Sequence, residues 1–493
     1  MKTLEQQTNE EQQQDVKPAG KFIRIKPFAL IMLMFLTILV TAGITVFALT
    51  FGDKKVVEVA VPVERSEFKS LYEAYDQLNE KYYTDLDSDV LVKGAINGMF
   101  DSIEDPYTDY QDVEEATSFN ESLSSSFEGI GAEIQERNGY IMVVSPIKNS
   151  PAEKAGLLPQ DLILSVDGES LKGMSANEAV LLIRGEKGTS VKLSVQRGED
   201  SEPFDISIKR DVIPIETVYG ELDEDKIAHI QITTFSETTQ DELTKLLADY
   251  ETQGMKGVII DVRQNPGGSL LTVIEIANLF LDEGKTILQV QGKTGEPEVY
   301  KAEGGKKYDV PLTVLIDEGS ASASEILAAA IIENKRGEVI GVNSFGKGTV
   351  QTVETLRDGS NLKYTNAKWL TPKGNWINEK GVAPTVEVKY PEYMKLTYID
   401  SKKQYKEGSA GAAVKSAKGM LEVLGYEVGE VNETFDASLT NAVKQFQSEN
   451  KLEVSGVLTG DTTFMLMEKM QEYIEANDPM EAKAKELLTK KSK

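Results

Sequence analysis

Three serines at two-residue spacing, Ser320, Ser322 and Ser324, lie in the run Asp317-Glu-Gly-Ser-Ala-Ser-Ala-Ser-Glu325. A hydroxyl is a poor nucleophile until something takes its proton and something stabilises the oxyanion formed by its attack. The flanking sequence points to the second of these. Pro311-Leu-Thr-Val-Leu-Ile-Asp317 has the pattern of a buried strand, and Ile326-Leu-Ala-Ala-Ala-Ile-Ile-Glu-Asn-Lys335 is good helix-forming sequence. The serines therefore fall where a strand turns into a helix N-terminus. Free backbone N–H groups and the positive end of the helix dipole converge there. The same residues also serve as plain N-caps, so this run alone does not define a site.

A proton acceptor must come from elsewhere. The chain has no cysteine and one histidine, His229, in the alternating run Lys226-Ile-Ala-His-Ile-Gln-Ile-Thr-Thr234. That alternation predicts a strand and a structural histidine. Lys347 is the other candidate. It stands between two glycines in Gly341-Val-Asn-Ser-Phe-Gly-Lys-Gly-Thr-Val-Gln351 and leads into a strand over Thr349–Leu356. Lys347, Thr349 and Gln351 share one face of that strand, so Gln351 is expected to hold the Lys347 amine, with Phe345 as an apolar wall. A third element, Gln264-Asn-Pro-Gly-Gly268, is a turn between the strand Met255–Arg263 and an apolar helix over Leu270–Leu281. Its glycines leave backbone amides bare at a second strand-to-helix corner.

Composition narrows the class. With 53 basic and 80 acidic residues, the net charge of −27 argues against nucleic acid as a partner. The lack of cysteine excludes disulfides, a thiol nucleophile and thiolate metal sites, and a lone histidine disfavours a zinc centre. No metal or cofactor is called for.

The chain begins with a Gln- and Glu-rich stretch. Lys17, Lys21, Arg24 and Lys26 then precede an uncharged apolar run from Phe28 to Phe51. At about 1.5 Å per residue this run reaches roughly 36 Å, enough to span a bilayer. The expectation is a cytoplasmic tail (1–27) and an uncleaved transmembrane helix (28–51), the rival being a cleaved signal peptide. Either places the chain after Gly52 outside the cytoplasm. Residues 60–125 read as a helical segment. Phe68, Leu71, Tyr72, Tyr75 and Leu78 recur at helical spacing, and a second helix runs near Val90–Ile103. This segment either packs on the core or pairs with a second copy to make a homodimer. Asp105-Pro-Tyr-Thr-Asp-Tyr110 ends its helical pattern.

Residues 126–210 carry short strands, Gly-rich turns and two brief helices. Phe127-Glu-Gly-Ile-Gly-Ala-Glu-Ile134, Ser150-Pro-Ala-Glu-Lys-Ala-Gly156, Asp161-Leu-Ile-Leu-Ser-Val-Asp-Gly168 and Ser175-Ala-Asn-Glu-Ala-Val-Leu-Leu-Ile-Arg-Gly185 follow in order. Together they resemble a PDZ domain. That resemblance implies that the amides of Gly129, Ile130, Gly131 and Ala132 receive a peptide C-terminal carboxylate. The peptide would add as a strand beside the helix Ser175–Ile183. A PDZ used only for packing is the plainer alternative.

Residues 211–390 alternate strand and helix, an α/β core. Residues 391–408 are charged and read as a linker, 409–475 as a small helical domain and 476–493 as a tail. The helical domain contains Gly411–Tyr426, Phe435–Gln447 and Leu452–Leu466 and resembles a peptidoglycan-binding domain. Val414, Met420, Leu421, Leu424, Val443 and Phe446 are expected to be its core.

The fold class is thus multidomain α/β: transmembrane helix, helical segment, PDZ, α/β core and helical C-terminal domain. Asn265-Pro-Gly-Gly268, Gly319-Ser-Ala-Ser-Ala-Ser-Glu325 and Gly346-Lys-Gly-Thr-Val-Gln351, in that order after a PDZ, resemble the carboxyl-terminal processing (tail-specific) proteases. Asp105–Tyr110 and Leu370-Thr-Pro-Lys-Gly-Asn-Trp-Ile-Asn-Glu-Lys-Gly-Val-Ala-Pro384 match further landmarks. The resemblance implies serine–lysine catalysis. Ser322 is the nucleophile, Lys347 the general base and Gln351 its positioner. The oxyanion donors are the amide of Ala323 and one from Gly267 or Gly268. Ser320 and Ser324 stay open as rival nucleophiles. The base must be neutral, and burial must lower its pKa from about 10.4. Substrates would be protein C-termini held by the PDZ, which could also gate the site. Arg184 is the candidate relay, or else a solvated surface residue. The rival class is a non-catalytic scaffold joining membrane, peptide and wall.

Overall fold

The computed structural model describes residues 26–51, 65–137, 139–198, 201–304 and 308–491. Contacts divide the chain into Met1–Ser88 and Asp89–Lys493. In the first unit, helix Pro27–Phe51 forms across the apolar run, with side chains described as far as Ala42. Those from Phe28 to Val40 are exposed. Among the described residues no helix is both long and apolar enough to cross a membrane. The basic residues Lys17, Lys21 and Arg24, and the boundary at Gly52, lie outside the described residues. Helix Lys69–Lys81 follows and buries none of its side chains; Leu71, Tyr72 and Leu78 are exposed.

The second unit is organised on a six-stranded sheet in the order Val218–Leu222, Ile227–Ile232, Gly257–Asp261, Leu312–Ile316, Glu338–Gly341 and Val386–Glu387. Its first pair is antiparallel and the rest are parallel. The two central strands, GVIID and LTVLI, are buried at every position, as strands covered on both faces must be. One face carries Ala228, Ile230, Val258, Ile260 and Val314 against helices Thr239–Thr252, Leu270–Phe280 and Ala323–Glu333.

The other face carries Ile227, Ile259, Leu315 and Ile340. It is covered by Met480, Ala484 and Leu488 of helix Pro479–Lys491. Their spacing of four puts these three on one helical stripe. Burying Met480 and Leu488 is worth roughly 2 kcal/mol each. The stretch 476–493, read as a tail, thus contributes helix Pro479–Lys491 to the core. Residues 391–408, read as a linker, differ in the same way. Tyr393, Leu396, Ile399 and Tyr405 pack into the C-terminal helical module, with Ile399 fully buried. Val414, Met420, Leu421, Val443 and Phe446 are buried there as expected, and Leu424 packs against them.

A second, antiparallel sheet stands beside the first. Strand Asn361–Leu370 pairs with Thr349–Thr355, Thr286–Gly292 and Asp109–Gln111, so a strand from the helical segment joins the α/β core. The PDZ-like unit is a separate sheet in the order Ala132–Arg137, Tyr140–Pro146, Leu162–Val166, Ser190–Gln196 and Phe204–Lys209. Its own core includes Ile141, Val143, Leu171 and Leu193.

Candidate active site

Strands Gly257–Asp261 and Leu312–Ile316 are parallel neighbours, so the loops leaving their C-terminal ends emerge together. Buried Asn265 ties the loops to each other. Its Nδ2 donates to Ile232 O at 2.7 Å and its Oδ1 accepts the Gly267 N–H at 2.9 Å. Its carbonyl accepts the Ala321 N–H at 3.0 Å and the Ser324 hydroxyl at 2.9 Å. Buried Asp317 does the same from the other loop, accepting the Gln264 N–H at 2.9 Å and Gln264 Nε2 at 2.7 Å. Gly267 has φ +105°, and a Cβ there would lie 2.8 Å from Ser322 Cβ. Only glycine lets the two turns approach this closely.

The three serines separate cleanly. Ser320 is buried, donating to Val262 O at 2.8 Å and accepting the Asp317 N–H at 2.9 Å. Ser324 is buried on Asn265 O. Ser322 alone faces a cavity of about 380 Å³, which Lys347 and Gln351 also line. Its backbone holds φ 53° and ψ −110°, a conformation that costs a non-glycine residue about 1–3 kcal/mol. Ser320 and Ser324 fasten the turn that imposes it.

Sequence reasoning missed Glu325, which is fully buried. Its Oε2 accepts the N–H groups of Ser322 and Lys347, both at 2.8 Å. Its Oε1 accepts the Gly346 N–H at 2.7 Å and the Ser344 hydroxyl at 2.6 Å. One carboxylate thereby fixes the backbone of both residues. The signal was an acid at the third position of an otherwise apolar helix.

Lys347 is fixed through its backbone, while among the described residues its amine makes no hydrogen bond or ion pair. Its carbonyl accepts Trp369 Nε1 at 2.8 Å. A Cβ on Gly346, at φ +95°, would meet Gly381 N at 2.9 Å, and one on Gly348 would meet Asn378 N at 2.7 Å. Lys347 Nζ lies 4.6 Å from the centre of the Tyr107 ring. Burial, then the nearby Lys363 charge, lowers its pKa below the ordinary 10.5, and Asp105 and Glu325 only partly oppose this. Asp105–Tyr110 carries no pattern that assigns it a place here. Tyr107 forms the floor under the amine, and Asp105 accepts the hydroxyls of Thr108 and Thr365, each at 2.6 Å.

Two expectations need correction. Gln351 does not hold the Lys347 amine; its Nε2 donates to Thr349 and Thr365, both at 3.0 Å. A register shift between Val350 and Gln351 offsets the simple alternation of that strand. Phe345 is no wall, being 55% exposed. Tyr107, Phe119, Ile326, Val350 and Trp369 supply the apolar lining. Of the two turn glycines, Gly267 commits its N–H to Asn265, whereas Gly268 lines the cavity with Ala323.

His229 lies elsewhere. Its Nε2 is 3.2 Å from Asp223 Oδ2, and it lines a larger cavity of about 840 Å³ that includes neither Ser322 nor Lys347.

In the PDZ-like unit, Gly129 ends strand Ser126–Gly129 and Ala132 opens the edge strand Ala132–Arg137. Between them Ile130 is buried, and Gly131 has φ +75° with Ser150 Cβ 2.5 Å from where its Cβ would stand. Arg184 caps helix Ala176–Ile183. Its guanidinium stacks 4.8 Å from the Phe127 ring centre and donates to Glu121 Oε2 at 2.7 Å. Glu121 sits on helix Val113–Ser124, which also sends Phe119 and Leu123 into the Ser322 cavity.

Comparisons with known proteins agree with this layout. Family models match residues 226–388 ("Peptidase family S41"), 142–197 ("PDZ domain"), 410–466 ("Putative peptidoglycan binding domain") and 49–115 ("Activating protease CtpB N-terminal domain"). The chain is 48% identical over 461 residues to the carboxy-terminal processing protease CtpA of Bacillus subtilis (strain 168), spanning 94% of this chain and 98% of that one. It is 40% identical over 468 residues to a probable CtpA-like serine protease of Staphylococcus aureus (strain COL), spanning 94% of each. Among solved structures, the photosystem II D1 C-terminal processing protease matches with 29% identity and a TM-score of 0.38, over 65% of this chain and 87% of that one.

Proposed function

Because the chain belongs to the S41 family of carboxy-terminal processing serine proteases, we propose that it cuts protein substrates near their C-termini by serine–lysine catalysis. Neutral Lys347 takes the Ser322 proton, and Oγ attacks the scissile carbonyl. The amides of Ala323 and Gly268 receive the oxyanion. The protonated lysine then returns its proton to the leaving amine, and water hydrolyses the acyl-enzyme. Gln351 acts at one remove, through Thr365 and Asp105, on the surroundings of the amine. The observation that carries this reading is that Ser322, alone of three serines, shares a cavity with a lysine whose pKa burial lowers.

The PDZ-like unit selects substrates by their tails, and the carboxylate lies against Gly129–Ala132. Its edge strand Ala132–Arg137 supports this reading by leaving one side open for β-addition. Occupancy there is felt at the active site through Arg184, Glu121 and helix Val113–Ser124. We further propose that the apolar helix Pro27–Phe51 anchors the enzyme, with the N-terminus cytoplasmic and the protease outside. The helical module then contacts peptidoglycan, and the exposed residues of Lys69–Lys81 pair two copies.

The test uses residues 52–493 and their Ser322→Ala form on an unfolded protein with an apolar C-terminus, followed by mass spectrometry. Cleavage by the parent alone is expected. Equal cleavage by both would remove Ser322 from the mechanism. Cleavage by neither, with an activating tail peptide and membrane vesicles also present, would favour the scaffold.

A further inference from the structure

Lys363 is a second lysine at the cavity that holds Ser322 and Lys347, and nothing so far gives it a task. It stands on strand Asn361–Leu370, opposite Val353 on one side and Asp109 on the other. Its side chain is 20% exposed. Its Nζ lies 3.0 Å from Asp109 Oδ1 and 3.2 Å from Oδ2, and 5.4 Å from the centre of the Phe119 ring.

We propose that Lys363, held in place by Asp109 and Phe119, is a positioning residue for the reaction: its fixed positive charge at the cavity wall keeps Lys347 free of its proton. Two ammonium groups lining one cavity repel, which disfavours the charged form of the one without an anionic partner. Lys363 has Asp109 in direct contact; Lys347 has an aromatic ring. The repulsion from Lys363 accordingly adds to burial in lowering the Lys347 pKa. The charged and titratable groups facing Lys347 come from every side. Asp105 and Tyr107 lie in the turn below it, Glu325 at the start of the serine helix, Glu379 beside Tyr107, Glu237 across the cavity, and Lys363 on the strand. Of these only Lys363 carries a positive charge. The acids would hold the proton on Lys347 if nothing opposed them. Asp109 bounds the effect, because with Lys363 removed it becomes one more anion attracting that proton.

This inference rests on the serine–lysine reading, and the test separates the two. The pH dependence of kcat/KM is measured on a tailed peptide for the parent chain and for Lys363→Gln, Lys363→Arg, Asp109→Asn and Lys347→Met, with folding of each checked by thermal unfolding. Neutral Lys347 is the active form, so the rate rises with pH through its pKa. Lys363→Gln is expected to move this acid limb to higher pH by about half a unit or more. Lys363→Arg keeps the limb in place, and Asp109→Asn moves it to lower pH. A limb that stays put in Lys363→Gln while the alkaline plateau falls would mean a merely structural lysine and overturn the proposal. If Lys363→Gln does not fold, the direction of the Asp109→Asn shift decides it. Loss of activity in Lys347→Met keeps the underlying reading intact whatever Lys363 does; retained activity there would overturn both.

Discussion

Lys347 and Lys418 are both shielded from water, and they are opposites. Lys418, in the C-terminal helical module, has a side chain with no exposure at all. Its Nζ donates to Glu430 O at 3.0 Å, Asn432 Oδ1 at 3.2 Å and Asp436 Oδ2 at 2.7 Å. Three donors meet three acceptors, and the ammonium pins the segment Glu430–Asp436 to helix Ala412–Val423. Lys347 is anchored just as firmly, but through its backbone and its flanking glycines, with a ring under its amine. A buried lysine given oxygen ligands becomes a structural tie. One given apolar walls and a neighbouring cation is suited to the role of base proposed for Lys347. Residue type and burial are shared; the partners of Nζ decide the role.

The strongest way to break this comparison is to remove each amine. Lys347→Ala should lower kcat/KM by about a thousandfold or more, as loss of a general base does, and leave the thermal transitions in place. Lys418→Met should do the reverse. It cuts a buried charge tie, at roughly 3 kcal/mol or less because Asp436 keeps some access to water. Unfolding of the helical module should come several degrees earlier, with peptide cleavage little changed. An activity loss from Lys418→Met without that shift would mean that the two lysines do not divide the work in this way. Asp105→Asn gives a finer contrast. Asp105 favours the charged form of Lys347, so removing its charge lets Lys347 release its proton more easily. The acid limb of kcat/KM should move to lower pH by a fraction of a unit. Movement to higher pH would show that the hydrogen bonds of Asp105 to Thr108 and Thr365, rather than its charge, set the environment.

The sequence showed the parts of this site that are local and hid those that are assembled. The Ser322 corner, the Asn265–Gly268 turn and the glycines around Lys347 are short segments, and each carries its own reason in residue type. The apolar strands that lead into them read directly as buried. Tyr107, Asp105 and Lys363 did not read as site residues. They reach Lys347 only through the antiparallel pairing of Asp109–Gln111 with Asn361–Leu370, segments about 250 residues apart. Asp105–Tyr110 was visible as a motif but not as the floor beneath an amine. Gln351 failed for a smaller reason: strand alternation predicts a face, and a register shift changes it. The stretch 391–408 looked like a linker because its charges outnumber its apolar residues, yet Tyr393, Leu396 and Ile399 at a spacing of three carry it into a core. The stripe Met480, Ala484 and Leu488 was equally legible and was obscured by the lysines and glutamates around it.

That stripe bears on when the enzyme comes into being. The strands around Ser322 are made by residue 341, but one face of their sheet stays bare until Pro479–Lys491 arrives, some 140 residues later in synthesis. Long-range closures of this kind come late in folding. The protease is thus expected to emerge as an incomplete sheet and to gain its cutting power only after the C-terminal helical module has been made. Nascent chains stalled before residue 479 should expose Ile259 and Leu315 to added protease and cleave nothing themselves. An active stalled chain would show that the helix is only a cover.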